Sequence, residues 1–163
     1  MSKAKLRTIE IIKSFLASLL GSTILVMLSY ALGSCFISKF LTSNLTLIQI
    51  TILAINIPTV GIILSNFSQV AKHQKTIWNT VRSSVLFSVK EQIVYIILGM
   101  ILMIVTNSYS GRFFSVSTTF ILTVLQLTML GMSLATLVDV FQSVISVTEY
   151  ISEFDDSYKN QNE

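Results

Sequence analysis

Three ionisable residues, Lys90, Glu91 and Asp139, stand inside or at the edge of long apolar stretches of this 163-residue chain. Hydrocarbon penalises a charge heavily, so such residues are the first candidates for function. The chemistry they offer is conduction: an ion or proton path, or a ring of charges around a pore once subunits assemble. A plainer reading competes with it. Lysine can lay its stem along apolar surface while its head reaches water, and Lys90 lies about 24 Å along a helix axis from Thr106, within reach of the headgroups. Lys90 and Asp139 are therefore read first as snorkelling or paired groups that fix the third helix against the fourth at the inner face.

Asn56 offers a second chemistry. With Gln49 and Pro58 it lies in a stretch free of charge. Pro58 has no amide hydrogen and its ring clashes one turn back, which predicts a bend near residues 54–56. Transporters build midplane binding sites from such broken helices, but usually in two repeated halves. Only one helix here shows the break, so a packing kink with interhelical hydrogen bonds is the expectation. Small residues four apart, Ala17 with Gly21 and Gly131 with Ala135, suit close helix contact within or between subunits.

Enzyme chemistry finds no residues to carry it. There is no Ser/His/Asp set, no H-E-x-x-H and no glycine-rich phosphate loop. One cysteine, Cys35, excludes an internal disulfide, and one histidine, His73, leaves no partner for a metal site. No catalytic residue, cofactor or metal is expected.

The elements that must position these residues are transmembrane helices. The chain is 52% hydrophobic and 12% charged, with a mean hydropathy of +0.74, which makes lipid its expected solvent. Four stretches reach the roughly 20 residues needed to cross a bilayer: about residues 14–34, 45–67, 85–106 and 115–138. A cytoplasmic helix over 139–155 and an acidic tail over 156–163 complete a single membrane domain. The fold class is all-α, an integral membrane four-helix bundle. Residues 32–35, Leu-Gly-Ser-Cys, have the form of a lipoprotein processing box, but the preceding apolar stretch exceeds the length usual for a signal peptide.

Charge placement sets the orientation. Lys3, Lys5, Arg7, Lys13, Lys72, Lys75 and Arg82 fall on segments assigned to the cytoplasm, whereas Lys39 and Arg112 fall on outer turns. The asymmetry predicts both termini inside. Beyond Asp139, Phe141, Val144, Ile145, Thr148, Ile151 and Phe154 recur at three- and four-residue spacings. They predict an amphipathic extension of the fourth helix into the cytoplasm. Two roles are open to that stripe: docking a partner or a second subunit, and packing against the residues 70–85 hairpin. The docking candidates are Phe141, Ile145, Glu149, Ile151, Glu153, Asp155 and Asp156. No direct nucleic-acid binding is expected.

The four-span layout carries FLASLLGSTILVMLSYALG at its start, KHQKTIWNTVRSS between the central helices and LATLVDVFQSVISV leading to an acidic tail. In this it resembles small membrane proteins of bacterial anti-phage islands, in particular the membrane subunit of the Kiwa defence system. The resemblance implies a homo-oligomeric sensor of the bacterial inner membrane that carries a DNA-binding soluble partner on its cytoplasmic side. The expected function is a non-enzymatic sensor or anchor. The alternatives are an ion channel or pore-forming effector that depolarises the membrane, and an immunity protein against a bacteriocin or secreted toxin.

Overall fold

The computed structural model describes the backbone of residues 3–70, 75–109 and 116–159. It describes side chains from Thr8 to Ser146 apart from Ile63 and residues 66–78, 80–81 and 109–117. Four helices follow one another: α1 (Lys3–Ala31), α2 (Phe36–Val70), α3 (Lys75–Tyr109) and α4 (Val116–Lys159). Each contains an apolar segment long enough to cross a membrane: Thr8–Ala31, Phe36–Ile62, Arg82–Ser108 and Thr118–Ser146. By length and composition these are the helices of a multi-pass membrane protein.

The ends of the helices follow local chemistry. The first span was expected to run to residue 34, but α1 stops at Ala31 because Gly33 turns the chain at a φ of 67°. There the Gly33 amide donates to the Tyr30 carbonyl and the Ser34 amide to the Ser29 carbonyl, the paired bonds of a Schellman cap. The Ser29 hydroxyl also donates to the Ser34 carbonyl at 2.7 Å. Four residues later the chain is helical again. The Ser34 hydroxyl accepts from the Phe36 amide and the Cys35 carbonyl from the Lys39 amide, so Lys39 lies in the first turn of α2 rather than on a loop. Likewise α3 takes in Lys75 and Arg82 at one end and continues to Tyr109 at the other. At the C-terminal end α4 runs through Asp155 and Asp156 to Lys159 as helix, which extends it past the boundary expected at 155. The rest of the tail and His73 lie outside the described residues.

Three helices form the core and the fourth leans on it. Among the described residues, helix α4 packs against α1, α2 and α3, and α2 packs against α3, whereas α1 barely meets α2 and does not meet α3. Burial follows this order: 44% of the apolar segment of α4 is buried, against 11% of that of α1. The buried stripe of α2 is Leu41, Leu45, Gln49, Ile52, Asn56 and Val60, and that of α3 includes Val85, Ser88, Gln92 and Ile96. Both follow the three- and four-residue spacing of one helix face. Helix α2 passes through Pro58 without interruption, and the Thr59 hydroxyl donates to the Ile55 carbonyl at 2.8 Å, beside the carbonyl that Pro58 leaves without an amide.

The contact between α1 and α4 depends on small residues. A side chain on Gly131 would begin 2.2 Å from the Ser18 hydroxyl oxygen, and that hydroxyl donates to the Thr128 carbonyl at 3.1 Å. Ser22 and Val26, four and eight residues further along α1, are buried on the same side. At the other end of this contact Tyr30 meets Phe120 edge to face, with ring centroids 5.6 Å apart.

Candidate functional site: a column of buried carboxamides

Polar side chains in lipid must find partners inside the protein, and hydroxyls do so locally. Thr23, Thr42, Thr51, Thr106, Thr123, Thr128 and Ser133 each donate to the carbonyl four residues back, at 2.8–3.0 Å. A helix can therefore carry them without help. A carboxamide has two donors and an acceptor, more than its own helix can satisfy, and must reach across. Among the described residues the interior holds four of them, Gln49, Asn56, Gln92 and Gln126, each at most 1% exposed.

They lie at successive depths between α2, α3 and α4. Towards the end of α3, Gln126 Nε2 donates to the Thr106 hydroxyl at 3.1 Å. Next comes Gln49, at the midpoint of its apolar segment Phe36–Ile62. Its Nε2 faces three acceptors: the Tyr95 carbonyl at 3.3 Å, the Met129 carbonyl at 3.5 Å and the Ser133 hydroxyl at 3.2 Å. One side chain thus joins three helices. Its Oε1 lies where a side chain on Gly99 would begin, 2.5 Å away, so the glycine is what lets α3 approach the amide. Two turns along α2 from Gln49, Asn56 Nδ2 donates to Gln92 Oε1. Gln49 Oε1, Asn56 Oδ1 and Gln92 Nε2 have no hydrogen-bond partner among the described residues.

Two of the ionisable candidates, Lys90 and Glu91, directly precede Gln92 in the sequence. Glu91 is half-buried and Asp139 and Lys90 are exposed. Asn56 belongs instead to the carboxamide column. Ala17 and Gly21 face away from the bundle, and Gly21 has nothing within 4 Å of its position, while Gly131 and Ala135 lie on α4, half-buried. Pro58 is exposed. Phe141 and Ile145 are exposed beside buried Val140, and the side chains of Glu149, Ile151, Glu153, Asp155 and Asp156 lie outside those described. Among the described residues no three metal-ligating side chains cluster.

Gln92, Gln126 and Thr106 were not singled out from the sequence, although a signal was there. Gln49 and Asn56, Gln92 and Gly99, and Gln126 and Ser133 are each seven residues apart, which puts both members of each pair on one helix face. The arrangement is a set of hydrogen-bonded ties between helices, without a nucleophile, an acid–base pair or a ligand cage. No family model matches this chain, and no curated protein or solved structure matches it either.

Proposed function

We propose that this protein is a non-enzymatic anchor or sensor of the bacterial cytoplasmic membrane, with both termini in the cytoplasm. In this reading it assembles with copies of itself and presents the end of α4 to a soluble partner. The observation that carries the proposal is the length of α4, 44 residues in one helix. At about 1.5 Å per residue this is about 66 Å, roughly twice the thickness of the hydrocarbon core. The surplus lies at the C-terminal end, where Glu149, Glu153, Asp155 and Asp156 make the helix acidic, and a basic soluble surface is its natural complement. The architectural resemblance to the Kiwa membrane subunit supplies the anti-phage context of the proposal.

A conducting role is less well supported by the same geometry. The carboxamides reach from helix to helix and are closed off from solvent, so they act as ties rather than as the lining of a lumen.

Two experiments test the proposal. The single cysteine, Cys35, is exposed in the turn between α1 and α2. With the amino terminus inside, a membrane-impermeant maleimide is expected to label it in intact spheroplasts. Labelling only after lysis would invert the orientation. Reversing Glu149, Glu153, Asp155 and Asp156 to lysine is expected to reduce co-purification with the proposed soluble partner by at least tenfold, with the membrane yield unchanged. Retained co-purification would remove the docking role of α4.

A further inference from the structure

We propose that Asn56 and Gln92 hold one water molecule between α2 and α3, in the interior of the transmembrane bundle. Both side chains are fully buried. A single hydrogen bond joins them, from Asn56 Nδ2 to Gln92 Oε1, and it leaves Asn56 Oδ1 and Gln92 Nε2 without a partner. Turning both amides over exchanges these roles between the two residues, yet one donor and one acceptor are still left.

That remainder selects its ligand. A cation would satisfy the oxygen and be repelled by the amide hydrogens, and an anion would do the reverse. Water accepts from one and donates to the other, and immobilising it is less costly than leaving two amide atoms unpaired in a medium that offers no solvation. Gln49 provides the contrast. Its Nε2 already faces three acceptors, and its unpartnered Oε1 lies against Gly99, where even a methyl group would overlap it. The geometry therefore favours water at the Asn56–Gln92 level over the Gln49 level.

Solid-state NMR on the full chain, labelled with 15N at asparagine and glutamine and reconstituted in perdeuterated lipid, tests this through magnetisation transfer from water to the side-chain amides. Transfer to Asn56 and Gln92 is expected to build up at least threefold faster than transfer to Gln49. Equal build-up at all three sites, or none at Asn56 and Gln92, overturns the proposal. Replacing sodium chloride by an uncharged osmolyte is expected to leave both resonances in place. A shift on removing the salt would assign the position to an ion and equally overturn it.

Discussion

Asn56→Leu is expected to destabilise the folded bundle by about 1–2 kcal/mol, and Gln92→Leu by a similar amount, whereas the double substitution loses less than either alone. Each single change removes one carboxamide and leaves the other buried without its side-chain hydrogen-bond partner. Stranding a buried polar group costs about 1–3 kcal/mol. Hydrogen bonds between transmembrane helices contribute only about 0.6 kcal/mol on average, because the separated helices find other partners in the bilayer. The loss in the single variants is therefore dominated by the stranded amide, and removing both amides abolishes it. Unfolding of the purified protein in bicelles, followed through a graded SDS titration, measures all three variants against wild type. A double variant as unstable as the sum of the singles would show that the two side chains act independently, without coupling to each other.

The second large effect concerns α1. Gly131→Leu is expected to separate α1 from α4 without unfolding the other three helices. Any side chain at position 131 starts within 2.2 Å of the Ser18 oxygen and 3.3 Å of its Cβ. Rotating the Ser18 hydroxyl away makes room for a methyl group, at the loss of its bond to the Thr128 carbonyl, so Gly131→Ala stays close to neutral. An isobutyl group has no such outlet, and the helices must part. Among the described residues α1 packs almost solely against α4, so little else holds it. A cysteine pair placed at Ser18 and Thr128 crosslinks readily in the parent and is expected to lose most of its crosslinking in Gly131→Leu. Persistent crosslinking would mean that α1 is retained by contacts other than the glycine notch.

Much of the fold was legible because the bilayer imposes a simple demand. A peptide backbone in hydrocarbon must satisfy itself, so uncharged runs such as residues 14–34 and 45–67 read directly as helices. The boundaries were harder, since hydropathy marks where the chain is greasy rather than where it is helical. The first turn of α2, Phe36–Lys39, and the start of α3 at Lys75 carry polar residues and are helical all the same. The reverse error occurred at Gly33, where an apolar sequence continues but the backbone turns.

The interior was less legible, for a definite reason. Charge draws attention in an apolar sequence, and Lys90 was singled out on that account. Gln92 and Gln126 carry no charge, and their importance depends on which way they face. That depends in turn on which helices adjoin, and a single sequence of apolar helices leaves the neighbours open. Asn56 was named for its closeness to Pro58, whereas its partner is Gln92, which lies 36 residues further along the chain.

The isolation of α1 also bears on how the protein is made. Helices α2 and α3 form a hairpin that can close as soon as both have left the translocon, but α1 has almost nothing to pack against until α4 emerges. During synthesis it waits as a lone span in the bilayer, its serine face uncovered, until α4 arrives and gives it a berth. Docking of α1 therefore follows closure of the α2–α3 hairpin, although α1 precedes both helices in the chain.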